Sequence, residues 1–257
     1  MDVWSRGDAY ERFMGRWSRR VAPLFLDWLD LRGGLRWADV GCGSGALTTA
    51  ILDRAGPTEV LGVDPAEAQV REAARQVVDE RVRFEQGDAT SLPEGAFDVV
   101  VSGLVLNFVP DPVAAAAAMG RATASGVVAA YVWDYVSGMQ MLRTFWDVAN
   151  RLDPDVAALH EGHRFPIAGP EVVAGYWRDA GLADVEVTGL TVPTVFTDFD
   201  DFWLPFLGGV GPGPAYVLSL GDPERERLRA HLSDALPPDE DGRIRLTARA
   251  WAVRGAS

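Results

Sequence analysis

Residues 39–45, Asp-Val-Gly-Cys-Gly-Ser-Gly, decide the fold of this chain. A short apolar run, residues 35–40, leads into the glycines, and a helix-forming stretch, residues 46–54, follows them. Closely spaced glycines between a strand and a helix let backbone N–H groups approach a ligand. This stretch therefore predicts a strand, a ligand-binding loop and a helix in succession.

Strands and helices alternate through much of the chain, which predicts an α/β fold with a mostly parallel sheet covered by helices on both faces. A helix is expected first, at residues 7–31. The remaining patterns predict strands at 59–63, 82–86, 96–102, 126–133, 185–192 and 244–253, and helices at 66–78, 111–123 and 170–180.

The organisation expected from these patterns is a single domain, residues 1–257. It comprises an N-terminal helical cap (1–34), a cofactor-binding core (35–134) and two aromatic-rich insertions (135–169 and 193–240). We expect the insertions to form a lid over the substrate.

Composition narrows the possible partners. The formal net charge is −13, which disfavours binding to nucleic acid or to anionic membranes. Four arginines, at 12, 16, 19 and 20, are expected to lie on an amphipathic helix. A nucleic-acid arm is the less favoured alternative. The lack of an apolar run of about 18 residues, the lack of a signal-like start and the single cysteine predict a cytoplasmic protein. No residue spacing predicts a metal site.

The glycine loop alone leaves two cofactors open. Gly41, Gly43 and Ala46 also satisfy the dinucleotide pattern G-x-G-x-x-A. Asp39 favours a different ligand, because a carboxylate inside the strand would repel a pyrophosphate but suits an ammonium group, such as the methionine end of S-adenosylmethionine. A capping or turn role for Asp39 is the alternative.

Two further acids end the next two strands. Asp64 closes the second strand, where it can accept hydrogen bonds from both ribose hydroxyls or cap the helix after Pro65. Asp88 closes the third strand. There it can accept from an adenine amino group while the backbone N–H of Ala89 donates to the ring, or it can form a plain turn.

The ordered motifs at residues 39–45, 62–64, 87–89 and 97–102 resemble class I S-adenosylmethionine-dependent methyltransferases. Within that class they are similar to the subgroup that includes ubiquinone and menaquinone C-methyltransferases. The resemblance implies a Rossmann-like seven-stranded sheet of order 3-2-1-4-5-7-6 with the last strand antiparallel. It also implies S-adenosylmethionine as cofactor and S-adenosylhomocysteine as product.

The resemblance assigns roles to single residues. It implies that the methionine portion of the cofactor contacts Asp39, Gly41 and Gly43. The ribose and adenine would lie against the later strand ends, and an N-terminal tyrosine and arginine would close over the cofactor carboxylate, although surface and packing roles are equally open for these two. The residue implied for the ribose is Asp64, those for the adenine are Asp88 and Ala89, and those for the carboxylate are Tyr10 and Arg16. Further cofactor-binding candidates are Pro65, Ser102 and Leu104.

Methyl transfer from a sulfonium needs alignment of the nucleophile more than a catalytic motif, and the sequence shows no such motif. If a general base exists, His163 is the first candidate, with Tyr135 and Glu161 next. An apolar or aromatic acceptor is expected over the fourth and fifth strands, although these rings can instead pack the lid. The candidate acceptor residues are Asn107, Trp133, Phe145, Trp146, Trp203 and Phe206.

Three alternatives stay open at this point. An enzyme of the same fold can use S-adenosylmethionine for a rearrangement or cyclisation. An NAD-dependent oxidoreductase is disfavoured by Asp39 and by the Gly-Asp-Ala segment. A nonenzymatic binding module is disfavoured by the two aromatic insertions. The expected partner is a small-molecule methyl acceptor, with O-, N- or C-methylation undetermined, and the chain is expected to be a monomer or homodimer.

Overall fold

The structure is a computed structural model that describes residues 14–165, 169–208 and 211–257, with the side chains of His163 and Arg164 outside the description. The chain divides into two compact units. The first, called here the core unit, comprises Ser18–Val132, Gly169–Leu190 and Ala250–Ser257. The second, called the insert unit, comprises Met1–Trp17, Trp133–Ala168 and Thr191–Arg249.

Seven strands form one sheet in the order β3-β2-β1-β4-β5-β7-β6, which confirms the predicted order. The first five strands pair in parallel. The last strand is antiparallel, since Ser257 N donates to Gly126 O while Asp134 N donates to Arg249 O. The strands are β1 Arg36–Val40, β2 Glu59–Asp64, β3 Val82–Gln86, β4 Phe97–Gly103, β5 Thr123–Trp133, β6 Ala183–Phe196 and β7 Ile244–Ala256.

The central strands are buried because helices cover a parallel sheet on both faces. In β4, Phe97, Val99, Val100 and Val101 are all buried. The register aligns Asp39 of β1 with Gly62 of β2. This alignment brings the carboxyl ends of the central strands to one edge, where ligands bind in open α/β sheets.

Among the helices of the core unit, the helix that starts at Pro112 begins at a side-chain cap. Asp111 Oδ1 accepts from Ala114 N at 2.9 Å, and Pro112 occupies the first turn. The helices are α1 Arg16–Leu29, which extends from the insert unit, α2 Ala46–Arg54, α3 Glu67–Gln76, α4 Pro112–Arg121 and α7 Pro170–Asp179.

The insert unit is built on aromatic contacts. The rings of Phe145 and Phe206 stack with centroids 4.4 Å apart, and Trp146 meets Phe145 edge-on at 4.9 Å. Its described helices are α5 Gln140–Leu152, α6 Glu161–Arg164, α8 Phe199–Trp203, α9 Pro212–Ser219 and α10 Asp222–Ala235.

Some expected boundaries are wrong. The strand predicted at 185–192 extends to Phe196, so residues 193–196, assigned to the second insertion, are strand. Pro193 is accommodated in this strand because β6 lies at the sheet edge, where a missing N–H is tolerated. The first described helix ends at Leu29 rather than at residue 31. No helix among the described residues combines enough length and enough apolar residues to cross a membrane.

Candidate cofactor site

The loop between β1 and α2 takes a conformation that glycine favours. Gly41, Gly43 and Gly45 all have left-handed φ angles, of 72°, 53° and 91°. Gly41 N and Cys42 N both donate to Val63 O, at 2.8 and 3.0 Å. These bonds tie the loop to the end of β2.

The first two glycines are needed for different reasons. A Cβ on Gly41 would stand 2.5 Å from Val105 Cγ2, so a neighbouring side chain occupies that space. A Cβ on Gly43 would meet no described atom within 4 Å. Gly41 therefore serves packing, whereas the space beside Gly43 is open to a ligand.

Asp39 is the most unusual residue of the site. It is 1% exposed, and its Oδ2 accepts from Thr48 Oγ1 at 2.7 Å. Its Oδ1 is buried and accepts no hydrogen bond from the residues that the structure describes. Burial raises the pKa of Asp39 to about 7, although hydrogen bonds from Thr48 oppose the shift. A buried carboxylate with one unsatisfied oxygen is suited to a cationic partner.

Asp64 connects the glycine loop to the start of α3. Its Oδ2 accepts from Gly43 N at 3.0 Å, and its Oδ1 accepts from Ala66 N at 2.9 Å. The helix-capping role considered for Asp64 is not present, because Ala66 is the N-cap of this helix and no side chain caps it; the bond to Ala66 N closes a local turn instead. Each carboxylate oxygen keeps a further lone pair, so the same group can also accept from two hydroxyls. Pro65 is exposed beside it, and its carbonyl oxygen accepts from Gln86 Nε2.

Asp88 caps a short 3₁₀ turn, Ala89–Ser91. Its Oδ1 accepts from Thr90 N and Thr90 Oγ1, at 2.8 and 2.6 Å. These bonds lower the pKa of Asp88, so it is ionised at neutral pH. The turn considered as an alternative for Asp88 is present, Ala89 is buried behind it, and the adenine contact stays a prediction.

The end of β4 approaches the same loop. Ser102 Oγ is buried and donates to Val40 O at 2.8 Å, so this hydroxyl holds β4 against β1. Leu104 has a left-handed φ of 63°, and its N–H donates to Tyr131 O at 2.7 Å. A strained non-glycine residue of this kind is typical of ligand sites. The contacts of Ser102 and Leu104 with a cofactor stay predictions.

The two residues expected to close over the cofactor are placed differently. Tyr10 lies outside the described residues. Arg16 donates from its guanidinium to Asp201 Oδ1 at 2.7 Å and lies over the rings of Trp17 and Phe196 at 4.4 and 4.8 Å. Asp201 is a partner that the sequence did not reveal, because it lies 185 residues away along the chain.

The catalytic candidates all lie in the insert unit. The His163 side chain is outside the description. Tyr135 is buried, with its ring 4.8 Å from that of Phe165. Glu161 is 0% exposed, and Trp146 Nε1 donates to its Oε2 at 2.5 Å. No general base is thereby identified.

The acceptor candidates are buried, and most belong to the insert unit. Phe145, Trp146, Trp203 and Phe206 pack against neighbouring rings, which is the packing role that the sequence left open. Trp133 Nε1 is buried with no hydrogen-bond partner in the described part of the chain. Asn107, by contrast, lies in the core unit.

Sequence reasoning missed the residues that support the site. Thr48, which binds Asp39, stands on the first turn of the helix after the loop, and a hydroxyl there is a usable signal. Val105 over Gly41 gave no signal, because only the fold brings them together. Within the described residues, no group of three histidine, cysteine or acidic side chains could hold a metal ion.

Comparison with known proteins places a methyltransferase domain on this part of the chain. Residues 38–131 match the family model described as a methyltransferase domain. Nocamycin O-methyltransferase of Saccharothrix syringae is 38% identical over 109 residues, which are 40% of this chain and 39% of that protein. Ribosomal protein L11 methyltransferase of Neisseria gonorrhoeae is 39% identical over 95 residues, 36% of this chain and 32% of that enzyme. The chain thus spans about a third to two fifths of these two relatives.

A longer alignment exists with ubiquinone biosynthesis O-methyltransferase of Pseudomonas paraeruginosa. It is 28% identical over 189 residues, which cover 66% of this chain and 75% of that enzyme. The predicted similarity to ubiquinone C-methyltransferases is therefore supported only in its broader form, the class I methyltransferases.

Solved structures share the fold. The YcgJ protein of Bacillus subtilis has a TM-score of 0.60 at 18% identity, covering 93% of this chain and 98% of that one. Phosphoethanolamine N-methyltransferase 2 of Haemonchus contortus, in complex with S-adenosyl-L-methionine, has a TM-score of 0.55 at 18% identity, over 96% of this chain and 55% of that one. The [4+2]-cyclase SpnF has a TM-score of 0.53 at 20% identity, over 92% of this chain and 80% of that one.

Residues 38–131 therefore match a methyltransferase domain, and this chain shares its fold with a protein solved in complex with S-adenosyl-L-methionine. The residues present fit this group. The unsatisfied Asp39 oxygen suits its ammonium, the open side of Gly43 allows close approach, and Asp64 keeps lone pairs for its ribose.

Proposed function

We propose that the protein transfers a methyl group from S-adenosylmethionine to a small organic acceptor of apolar or aromatic character. The observation that carries the proposal is the buried, unsatisfied oxygen of Asp39 beside the left-handed glycine loop. A pyrophosphate cofactor would not be attracted to that oxygen, whereas an ammonium group would.

The names of the relatives favour a small acceptor. The nocamycin and ubiquinone enzymes act on small molecules by their names, and the ubiquinone enzyme aligns over 66% of this chain. The ribosomal-protein relative aligns over only 36% of it. Similarity that extends beyond the cofactor domain carries more information about the acceptor, which favours the small molecule over a protein.

The chain's own residues would divide the work as follows. Asp39 would hold the ammonium, Asp64 the ribose hydroxyls, and Asp88 with Ala89 the adenine. S-adenosylmethionine, when bound, supplies an activated methyl group on its sulfonium. The protein then has to orient the acceptor and exclude water. The rings of Phe145, Trp146, Trp203 and Phe206, together with Trp133, are the proposed apolar walls. Tyr10 remains a candidate for the cofactor carboxylate, whereas the guanidinium of Arg16 is already paired with Asp201.

Removal of a proton from the methyl acceptor would need a group other than those that hold the cofactor. A base is needed only for an acceptor that loses its proton as it attacks. His163 remains the first candidate and Tyr135 the second. The cytoplasmic location expected from the sequence also stays a prediction.

The alternative of a non-methylating rearrangement or cyclisation has one observation behind it, since the cyclase SpnF shares this fold. An enzyme of that kind would convert its substrate without consuming S-adenosylmethionine. The matched methyltransferase domain favours methyl transfer.

The test is a turnover assay that measures S-adenosylhomocysteine formation over a panel of phenols, alcohols, amines and ribosomal protein. We expect product with at least one small acceptor and none with the protein. The Asp64→Ala variant is the control and should lose this turnover. Binding of S-adenosylmethionine with substrate conversion but no S-adenosylhomocysteine would contradict methyl transfer and favour the cyclase-like alternative.

A further inference from the structure

Asn107 carries a buried oxygen that the fold does not use. The residue lies in the 3₁₀ turn Leu106–Phe108, directly after β4, and is 7% exposed. Its Oδ1 is enclosed and accepts no hydrogen bond from any described residue. Leaving a buried carbonyl oxygen unsatisfied destabilises the folded state, and folded proteins rarely keep such groups without a reason.

The turn that carries Asn107 packs on the cofactor loop. Leu104, in its left-handed conformation, turns the chain at the end of β4. The next residue, Val105, then places its side chain over Gly41, where even a Cβ atom would come within 2.5 Å of it. Asn107 is two residues further on, at the carboxyl edge of the sheet, where open α/β folds bind their ligands.

We propose that Asn107 is a positioning residue whose Oδ1 accepts a hydrogen bond from the attacking atom of the methyl acceptor. The acceptor is then a neutral O–H or N–H nucleophile rather than a carbon nucleophile or a thioether. This inference rests on the proposed methyltransferase function. A neutral amide suits a neutral donor, since a cationic acceptor would be matched better by a carboxylate at this position.

The hydrogen bond would fix the direction of attack. The acceptor atom gives its lone pair to the methyl carbon, and the carbon–sulfur bond breaks with its electron pair on sulfur. The acceptor atom then releases its proton to water, because an amide oxygen is too weak a base to keep it. Asn107 therefore orients the acceptor without serving as the general base.

Matched probes that differ only in the donor test this inference. Phenol and anisole, and likewise aniline and N,N-dimethylaniline, would be titrated by NMR into the protein loaded with S-adenosylhomocysteine. We expect the wild type to bind the donor of at least one pair about tenfold more tightly than its methylated partner. In N107L, which keeps the volume but lacks the oxygen, the preference should disappear.

Controls separate this proposal from the proposed function. The affinity of N107L for S-adenosylhomocysteine should stay within about twofold of wild type. Thr194 also has a buried, unsatisfied oxygen, but it lies in the insert unit. Thr194→Val, which removes that oxygen, should leave the preference for the donor probe intact. The proposal is overturned if the wild type shows no preference in either pair, undetectable binding included, or if the preference survives in N107L. Failure of the wild type to bind S-adenosylhomocysteine would instead overturn the proposed function.

Discussion

The core unit and the insert unit hold their functional candidates by different means. In the core unit, polar side chains at strand ends are fixed by the backbone, as Asp64 is by Gly43 N and Ala66 N. In the insert unit, rings are fixed by other rings, as Phe145 is by Phe206. A site built on backbone geometry is sensitive to single atoms, whereas a ring cluster is sensitive to lost volume.

The largest expected effect is on the stability of the insert unit. Phe145→Ala removes a fully buried ring from its stack with Phe206, so the free energy of unfolding should fall by about 3–5 kcal/mol. Phe145→Leu is the matched control and should cost less, because it keeps most of the volume. Denaturant titration measures both. If Phe145→Ala were as stable as wild type, the ring cluster would not support the unit.

Two glycines of the cofactor loop should respond differently to the same substitution. Gly41→Ala combines a left-handed φ with a clash against Val105, and should cost about 3 kcal/mol of stability. Gly43→Ala faces open space and should cost about 1–2 kcal/mol, but should weaken cofactor binding. Melting curves and calorimetry separate the two effects.

A second substitution checks this interpretation. Val105→Ala, added to Gly41→Ala, should restore part of the stability, because it removes the atoms that the new Cβ meets. Unchanged cofactor affinity in Gly43→Ala would show that the open side of that glycine is not where the ligand lies.

The pH dependence of cofactor binding tests Asp39. Burial raises its pKa to about 7, so the carboxyl is protonated in the cofactor-free protein at lower pH. Only the ionised form attracts an ammonium. Affinity for S-adenosylhomocysteine should therefore increase with pH, by up to about tenfold per pH unit below pH 7, and level off above pH 7. Calorimetry between about pH 5.5 and 8.5 measures this, and Asp39→Asn should bind weakly with a flat profile.

The raised pKa of Asp39 also makes the stability of the fold depend on pH, in the direction opposite to cofactor affinity. The unfolded chain ionises at the ordinary pKa near 3.9, whereas the folded carboxyl stays protonated to about pH 7. The free energy of unfolding should therefore fall as pH rises from about 4 to about 7, and Asp39→Asn should lack this component of the fall. Identical pH profiles for wild type and Asp39→Asn would contradict the assignment.

The smallest effect concerns Arg16. Its ion pair with Asp201 is partly exposed, so Arg16→Ala should lower the free energy of unfolding by about 1 kcal/mol. We expect little change in cofactor affinity, and a double-mutant cycle with Asp201→Asn measures the coupling. An affinity loss of about tenfold or more would instead support the contact with the cofactor carboxylate that the resemblance implies.

The sequence predicted the core unit better than the insert unit for physical reasons. The predicted bounds of α2 and β3 agree with the structure at both ends, because glycine, proline and apolar runs mark them locally. Helix α5 was not assigned, although its buried positions, such as Met141, Phe145 and Trp146, repeat at helical spacing. The Val105–Gly41 contact depends on strand order, and no local pattern encodes it.

Calorimetric titration with S-adenosylmethionine, S-adenosylhomocysteine and NAD tests the central claim most directly. We predict that the first two bind at one site per chain, that NAD gives no heat, and that Asp64→Ala loses about a hundredfold in affinity as its charge-assisted hydrogen bonds disappear. Asp98→Asn, at an exposed pair with Arg36, is the matched control and should bind normally. Tight binding of NAD without a response to the other two would contradict the account.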